Sequence, residues 1–499
     1  MVININGATL NGIHGYPVSV EIHISRGLPS FNIVGIGGVA VKESKDRVRA
    51  AILNSGFEFP LGRITVNLAP ADIKKEGTLL DLPIAIGILC ASKQIYTDNL
   101  DKYLFIGELS LLGKLRDVKG ALPIVIEGIQ NNIKKYIVPK DNKDECSLVK
   151  EAKIYPCDSL NDAINTINDD NIKPYKIGKI KNDNSQYRID FSEVVGQHSV
   201  KRGVEVAAAG NHNLVLYGPP GTGKSMIAYR IPTILPDITY EESLECTKIY
   251  SVYGDLEEGL IYKRPFRTPH HTATKIALIG GGAKLMPGEI SLAHNGVLFL
   301  DEMLEFKKDV LEALRQPLEN RSVTISKFSG STKYPSNFML VGAFNTCPCS
   351  KIQCTCSEYE KNRYLKKLSG PLLDRIDLFL PVDYVEHNHI ISTEKTKKSR
   401  DIKKSIDKAR KIQYERLKKY NITTNSEMDM PLVKRYCTLE NGAEKIIKKI
   451  YNKYSLSTRA YTKILKVSRT IADLDERDRI YESDLIEALQ YRKFIEEII

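Results

Sequence analysis

The 499-residue sequence lacks any apolar run long enough to cross a membrane. Its longest apolar stretch, Leu79 to Ala91, is interrupted by Asp81 and Pro83 and falls short of the roughly 18 residues that suggest a spanning helix. The amino terminus also lacks a basic segment followed by an apolar core and a small-residue cleavage site, which argues against secretion. We therefore expect a cytoplasmic protein without a membrane partner.

The cysteines do not indicate a disulfide framework, because nine is an odd number on a long chain without an export signal. Four thiols lie close together and would suit tetrahedral zinc, although each pair encloses one residue where zinc sites usually enclose two or more. Zinc ligation and free or redox-active thiols both remain open for these residues. They are Cys347, Cys349, Cys354 and Cys356.

The composition excludes a disordered or collagen-like chain, since 42% of the residues are hydrophobic and 27% are charged. The formal net charge is +11, and most of it falls in residues 391–499. Such a balance favours a polyanionic partner such as nucleic acid.

The first region mixes strands and helices. Residues 18–26 and 62–70 alternate apolar and polar side chains, which predicts two half-buried strands. Between them, residues 41–56 have the spacing of a helix that stops at Gly56. Residues 171–188 are rich in Lys, Asn and Asp without large apolar clusters, which predicts a solvated linker.

The second region alternates a helix-like run at 200–209 with continuous apolar runs at 213–217, 297–302 and 338–345. This alternation indicates a parallel sheet covered by helices on both faces. The last region looks entirely helical, because apolar residues within 460–474 recur at spacings of four and three.

The clearest motif is a GxxxxGK[ST] segment that follows the apolar strand 213–217 and precedes an expected helix beginning at Met226. Its glycines let backbone N–H groups turn towards phosphate oxygens. Lys224 should reach the β and γ phosphates of a nucleotide, and Ser225 should hold Mg²⁺. The motif consists of Gly218, Pro219, Pro220, Gly221, Thr222, Gly223, Lys224 and Ser225.

A second acidic element would complete the metal site. Four apolar residues, 297–300, end in Asp301 and Glu302. Asp301 would bind Mg²⁺, and Glu302 would orient and polarise the attacking water.

The segments 218–225, 297–302 and 338–345, the last of which ends in Asn345, resemble Walker A, Walker B and sensor 1 of an AAA+ ATPase. Four further segments resemble the magnesium-chelatase-like AAA+ group called YifB or ComM, and the similarity spans nearly the whole chain. They are RPFRTPHHTATKIALIGGG (264–282), PGEISLAHNGVLFLDE (287–302), LEALRQPLENRSVTIS (311–326) and KLSGPLLDRIDL (367–378).

The resemblance implies roles for single residues. Asn345 would be sensor 1 beside Glu302, Arg375 would be an arginine finger for the neighbouring subunit, and Arg459 would be sensor 2 from the helical lid. Val195, within VVGQ at 194–197, would lie where such ATPases cover the adenine.

The resemblance also implies a β-hairpin at about 322–334 that faces the pore of a hexameric ring. Lys327 and Lys333 could there contact a phosphate backbone, Arg321 less so, while two solvated lysines remain the alternative. His270 and His271 have no acidic or cysteine partner nearby in the sequence, so we expect a structural or pore-facing role for them.

Residues 74–89 and 118–139 resemble the Lon-protease-type domain of the ribosomal-S5-like superfamily. A Lon protease needs a serine nucleophile and a lysine base. Leu79 and Pro123 stand at those positions, so we expect no protease activity. The GIGGVA segment, 35–40, matches a dinucleotide turn, but the next strand ends without an acidic residue for a ribose, which disfavours NAD.

The sequence therefore predicts an α/β protein with three parts joined by a linker at 171–190. They are an inactive Lon-like α+β domain (1–170), a P-loop AAA+ core (191–385) and a chelatase-type helical lid (386–499). We expect a ring motor, a hexamer, that depends on ATP and Mg²⁺. It would act on DNA as a helicase or in branch migration during recombination or natural transformation. The alternatives are a protein-remodelling or regulatory ATPase and a magnesium-chelatase motor subunit.

Overall fold

The chain is described here from a computed structural model. The structure describes residues 2–494 except 36–37, 72–74, 76, 98, 170, 177–186, 257–258, 284, 328–329, 350, 352–353, 386–395 and 455. Most of the expected linker, part of the GIGGVA turn, the hairpin tip and the expected boundary at 386 therefore lie outside the described residues.

A seven-stranded sheet forms the first part of the molecule, in the order β3-β4-β2-β1-β5-β8-β9. Strand β2 pairs antiparallel with β1 and β4, and the remaining pairs are parallel. The strands of this sheet are β1 (Val2–Asn11), β2 (His14–Ser25), β3 (Ser30–Val34), β4 (Arg63–Ala69), β5 (Tyr103–Phe105), β8 (Lys135–Pro139) and β9 (Lys153–Cys157). Strands β6 (Glu108–Leu109) and β7 (Leu115–Arg116) form a separate two-stranded pair. The helices are α1 (Val39–Asn54), α2 (Asp81–Ala91), α3 (Ala121–Gln130), α4 (Lys143–Cys146) and α5 (Leu160–Asn168).

The alternation of apolar and polar residues in this part matches the alternation of buried and more exposed side chains. Val18, Val20 and Ile22 of β2 are buried, whereas the residues between them are more exposed, as the alternation predicts. Leu79 and Pro123 are both buried, and neither side chain carries a nucleophilic or basic group.

Within residues 171–176, Tyr175 contacts this first part of the molecule. Tyr175 forms an isolated bridge with Ile154, and its hydroxyl donates to a carboxylate oxygen of Asp144 at 2.8 Å. The described start of the expected linker is thus anchored at Tyr175, while residues 171–173 and 176 are exposed.

The second part is a five-stranded sheet in the order β11-β14-β17-β10-β18, and all its pairs are parallel, as predicted. Its strands are β10 (Leu214–Gly218), β11 (Phe266–Arg267), β14 (Val297–Leu300), β17 (Met339–Asn345) and β18 (Leu378–Pro381). The short pair β12 (Gly280–Gly281) and β13 (Met286–Pro287) lies apart from it. The helices are α6 (His198–Gly210), α7 (Lys224–Arg230), α8 (Tyr240–Tyr253), α9 (Lys275–Ile279), α10 (Glu289–Leu292), α11 (Lys308–Ala313), α12 (Arg315–Asn320), α13 (Glu358–Leu365) and α14 (Gly370–Leu373).

A two-stranded hairpin, β15 (Ser322–Lys327) and β16 (Gly330–Pro335), precedes β17. Its inner face contacts the turn between β1 and β2 of the first sheet, where Thr332 donates to the Asn11 side chain at 3.2 Å. Gly12 in that turn has φ +61, and an added Cβ would collide with the Thr332 side chain. Only glycine fits this close approach, which joins the first part to the hairpin.

The last part is helical among the described residues apart from one isolated bridge, Leu439 to Ile480. Its helices are α15 (Ser399–Leu417), α16 (Met430–Tyr436), α17 (Asn441–Tyr454), α18 (Thr458–Leu474) and α19 (Glu482–Gln490). The apolar face predicted within 460–474 is the buried side of α18, and the lid shares one apolar core with the sheet helices. None of the described helices is both long enough and apolar enough to span a membrane.

Candidate active site

The GxxxxGK[ST] segment, residues 218–225, is here called the phosphate-type loop because its motif is typical of phosphate binding. It lies between β10 and α7. The strand ends at Gly218, and the helix begins at Lys224, two residues earlier than the sequence suggests. Gly223 caps the helix with φ +88, a backbone conformation that residues with a Cβ rarely adopt. The loop therefore directs the helix amino terminus and its free N–H groups to the carboxyl edge of the sheet.

Lys224 is folded into this loop. Its ammonium donates to the carbonyl oxygens of Gly218 at 3.0 Å and Pro219 at 2.5 Å, and the side chain is largely buried. Burial lowers the pKa of Lys224, so an anion beside it would favour its charged form.

Ser225 and Asp301 meet across the sheet although 76 positions separate them in the sequence. The Ser225 hydroxyl donates to an Asp301 carboxylate oxygen at 2.8 Å. One hydroxyl and one carboxylate are the oxygen donors that a Mg²⁺ ion takes alongside water and nucleotide phosphates. The pair therefore fits a magnesium site.

Glu302 occupies an unusual backbone position, with φ +49. Its Oε2 lies 3.3 Å from Nδ1 of His271. His271 therefore has an acidic partner in the fold, although none lies near it in the sequence. Phe266 pairs in parallel with Val297, so the segments that follow β11 and β14 leave the sheet at one edge.

His270 does not share this contact. Its ring lies 4.1 Å from the ring of His271 and its Nδ1 is 2.9 Å from the Thr272 hydroxyl. The two neighbouring histidines therefore have different surroundings.

Asn345 is the last residue of β17, and it pairs in register with Gly218. Parallel strands in register end together, so Asn345 lies beside the beginning of the phosphate-type loop. The structure thus brings Lys224, Ser225, Asp301 and Asn345 to one edge of the sheet.

Arg375 lies at the opposite edge. It precedes β18, whose Leu378 pairs with Leu214 at the start of β10, and its carbonyl accepts from the Asn213 side chain at 3.1 Å. The strand from Leu214 to Gly218 spans about 13 Å at the usual rise per residue. Arg375 is therefore separated from the phosphate-type loop of its own chain by the length of the sheet.

Arg459 shares a partner with Arg375, which the sequence did not indicate. Both guanidinium groups contact the carboxylate of Glu319, and the Arg459 contact measures 3.2 Å. A cavity of about 710 Å³ opens beside them, and its lining includes Lys463 and Lys466. The arginine side of the molecule is thus a recess, lined by cations and carboxylates in equal number, that is distinct from the loop side.

Val195 is half-buried in the segment before α6. The next residue, Gly196, lies against Val385, and the adjacent Tyr384 donates its hydroxyl to the Pro220 carbonyl at 3.1 Å. Tyr384 is therefore a contact of the phosphate-type loop that sequence reasoning missed, because no motif marks it.

The four clustered cysteines converge after β17, and their sulfur atoms all lie within 4.8 Å of one another. The Cys347 and Cys349 sulfurs are 3.3 Å apart. A hydrogen bond from the Lys351 backbone and a second from Cys347 lower the pKa of Cys349 to about 6. Four sulfurs at such separations fit the tetrahedral sphere of a zinc ion with Zn–S bonds of about 2.3 Å.

The hairpin lysines are exposed. Lys333 lies on the outer face of β16 opposite Thr324, and Lys327 ends β15 near the tip. Arg321 is instead paired with Glu427 of the lid at 2.6 Å, away from that tip.

Comparisons with known proteins cover the same three parts. Residues 20–142 match the family model described as subunit ChlI of Mg-chelatase. Residues 190–390 match the model for magnesium chelatase, subunit ChlI, and residues 396–492 match the model for its C-terminal region.

Two relatives are similar along almost their whole length. Competence protein ComM of Haemophilus influenzae is 42% identical over 493 residues, which cover 97% of this chain and 96% of that protein. YifB of Escherichia coli is 42% identical over 489 residues, 96% of this chain and 95% of that protein. A magnesium-chelatase 67 kDa subunit of Chlorobaculum parvum is 25% identical over 162 residues, 32% of this chain and 23% of that protein.

Proposed function

The chain belongs to the magnesium-chelatase-like AAA+ ATPase family of ComM and YifB, and from that premise we propose that it is a ring motor that hydrolyses ATP to act on DNA. The family implies ATP and Mg²⁺ as cofactors. The observation that supports hydrolysis most strongly is the convergence of Lys224, Ser225, Asp301 and Asn345 at one edge of the sheet. Glu302 adds a carboxylate directly after Asp301.

Each of these groups has a separate task in the proposal. Lys224 and the loop N–H groups would bind the nucleotide phosphates, and Ser225 and Asp301 would hold Mg²⁺, which when bound would neutralise charge on the phosphoryl group. Glu302 accepts a proton from the attacking water, and Asn345 orients that water. Val195 and Tyr384 lie where they could border the base.

The arginines support assembly. Arg375 and Arg459 lie at the edge of the sheet opposite to Lys224, so each would serve the phosphates of a neighbouring protomer. A guanidinium placed there neutralises charge that develops on the transferred group, and its supply from outside makes hydrolysis depend on the ring. A closed ring of six copies is the arrangement we propose.

DNA is the proposed substrate for three reasons. The lid carries most of the positive charge, the exposed Lys327 and Lys333 project from the hairpin, and a full-length relative is named a competence protein. Cations on exposed elements suit the phosphate backbone of a nucleic acid. We extend helicase or branch-migration activity in recombination or natural transformation to this chain on these grounds.

The test compares ATP hydrolysis by the wild-type chain, Lys224→Ala and Glu302→Gln, each with single-stranded, duplex and branched DNA across a salt titration. We expect DNA to stimulate ATP turnover by the wild-type chain, and this stimulation to decrease as the salt concentration rises. Lys224→Ala should lose nucleotide binding. Glu302→Gln should bind ATP without hydrolysing it. Unchanged turnover in both variants would refute the site. Turnover that no DNA stimulates would favour a protein-remodelling ATPase instead.

We also propose that Cys347, Cys349, Cys354 and Cys356 hold one zinc ion, since their sulfurs already converge. The site would be structural, because it would use four thiolates and leave no open position. Metal analysis of protein purified under reducing conditions should find about one zinc per chain and none after replacement of Cys354 and Cys356 by serine. A wild-type chain without zinc would favour free thiols.

A further inference from the structure

Three tyrosines and three cations gather at an outer end of the lid, where α15 runs into the turn 418–420 and α16 ends. We call this group the tyrosine cluster. It consists of Tyr414, Lys418, Lys419, Tyr420, Arg435 and Tyr436.

The rings and cations of the cluster are interleaved. The Tyr420 and Tyr436 rings meet edge to face with centroids 6.3 Å apart. Arg435 donates to the Tyr420 hydroxyl at 3.0 Å, and its guanidinium carbon lies 5.5 Å from the centre of the Tyr436 ring. Lys419 lies 5.2 Å from the centre of the Tyr420 ring.

The pattern continues one turn back along α15. Lys418 lies 5.9 Å from the centre of the Tyr414 ring, and half of the Tyr414 surface is exposed. Each of the three rings of the cluster thus has a cation within 6 Å of its centre.

Much of the charge in the cluster remains unneutralised within the chain. Lys418 pairs with Glu415 at 2.5 Å. In the part of the chain that the structure describes, neither Lys419 nor Arg435 has a carboxylate within 4.0 Å, and both side chains are exposed. An anionic partner would be attracted to these two cations.

We propose that the tyrosine cluster is a binding surface for single-stranded nucleic acid. Lys419 and Arg435 contact phosphates, and bases stack on Tyr414 and on the accessible parts of Tyr420 and Tyr436. Rings interleaved with cations are the combination that such proteins use, because every base offers a face for stacking whatever its sequence. The choice of nucleic acid as the partner rests on the proposed action on DNA. The tyrosine cluster itself is separate from the hairpin formed by β15 and β16.

A second copy of the chain is the competing occupant. The loop after Tyr420 places Ile422 at the lining of the cavity beside Arg375 and Arg459, next to the surface on which these arginines would meet a neighbour. Charge argues for nucleic acid, since exposed cations without carboxylate partners call for an anionic ligand. The two occupants differ in their effect on assembly, which can be measured.

Fluorescence anisotropy tests this proposal by measuring the binding of a fluorescent oligo-dT of about 16 nucleotides to the full chain. Tyr420→Leu/Tyr436→Leu should weaken binding about tenfold, while Tyr420→Phe/Tyr436→Phe should stay close to wild type, since stacking requires a ring. Tyr96→Leu is the matched control, because Tyr96 is an exposed tyrosine of the first part. Lys419→Gln/Arg435→Gln, which leaves the rings in place, should reduce the slope of log affinity against log salt by about 1.4.

The outcomes separate this inference from the proposed function. Wild-type binding that neither the leucine pair nor the glutamine pair weakens would overturn the cluster and leave the DNA motor standing. Absence of oligo-dT binding and of DNA-stimulated hydrolysis in the wild type would remove both. Leucine variants that bind normally but fail to assemble in light scattering would identify a protomer interface and overturn the inference.

Discussion

Glu302 occupies an ordinary motif position but has an uncommon backbone conformation. A non-glycine residue at φ +49 is held there by its surroundings, and such positions occur often at functional sites. The adjacent Asp301 accepts the Glu302 N–H at 3.0 Å, and His271 contacts the carboxylate. At this scale the motif identifies the carboxylate, but only the folded sheet identifies the histidine that contacts it.

His271→Ala should lower kcat for ATP hydrolysis about tenfold and leave KM for ATP nearly unchanged. The reason is that a carboxylate without its partner samples more orientations, and a misplaced general base slows chemistry without weakening nucleotide binding. Steady-state kinetics measure both constants. His270→Ala is the control, and equal effects of the two variants would count against a specific contact between His271 and Glu302.

At the scale of elements, the junction of core and lid depends on a buried polar group beside β10. His212 is fully buried, with Nε2 2.8 Å from the Thr470 hydroxyl of α18. Lys463 of the same helix pairs with Asp377 at 2.5 Å. Burial alone raises the pKa of Asp377, but Lys463 and His212 outweigh it and lower that pKa to about 2.

The junction should make stability depend on pH. Burial lowers the pKa of His212 from 6.5 to about 4, so the unfolded chain binds more protons than the folded chain between these values. The contribution is complete above about pH 6.5 and falls by about 3 kcal/mol as the pH approaches 4. His212→Gln should lose less stability over this window in urea unfolding followed by circular dichroism, and an identical pH dependence in both proteins would contradict this origin.

The elements themselves were largely predictable, since they depend on local pattern. Alternation located β2 and β4, continuous apolar runs located β10, β14 and β17, and helical spacing located α18. Contacts between distant segments were not predictable, because no local pattern specifies them. Gly12 against Thr332 and Glu319 between two arginines are examples, and each depends on a close approach that only the assembled fold creates.

At the scale of the whole molecule, the chain presents two unlike ends of one parallel sheet. One end carries Lys224, Ser225 and Asp301, and the other carries Arg375 and Arg459 around Glu319. Since the sheet separates them, neither arginine completes the loop of its own chain. In the proposed ring, the two ends would form one site where copies of the chain meet head to tail.

The most direct test of the proposed ring motor mixes Arg375→Ala and Glu302→Gln chains, each of which we expect to be inactive alone, and measures ATP hydrolysis. A mixed assembly contains interfaces at which an intact Glu302 faces an intact Arg375 from the neighbour. At equal amounts we therefore predict recovery of about a quarter of the wild-type rate, because half of the chains supply each intact group. Mixtures that assemble but hydrolyse no faster than either variant alone would contradict the account.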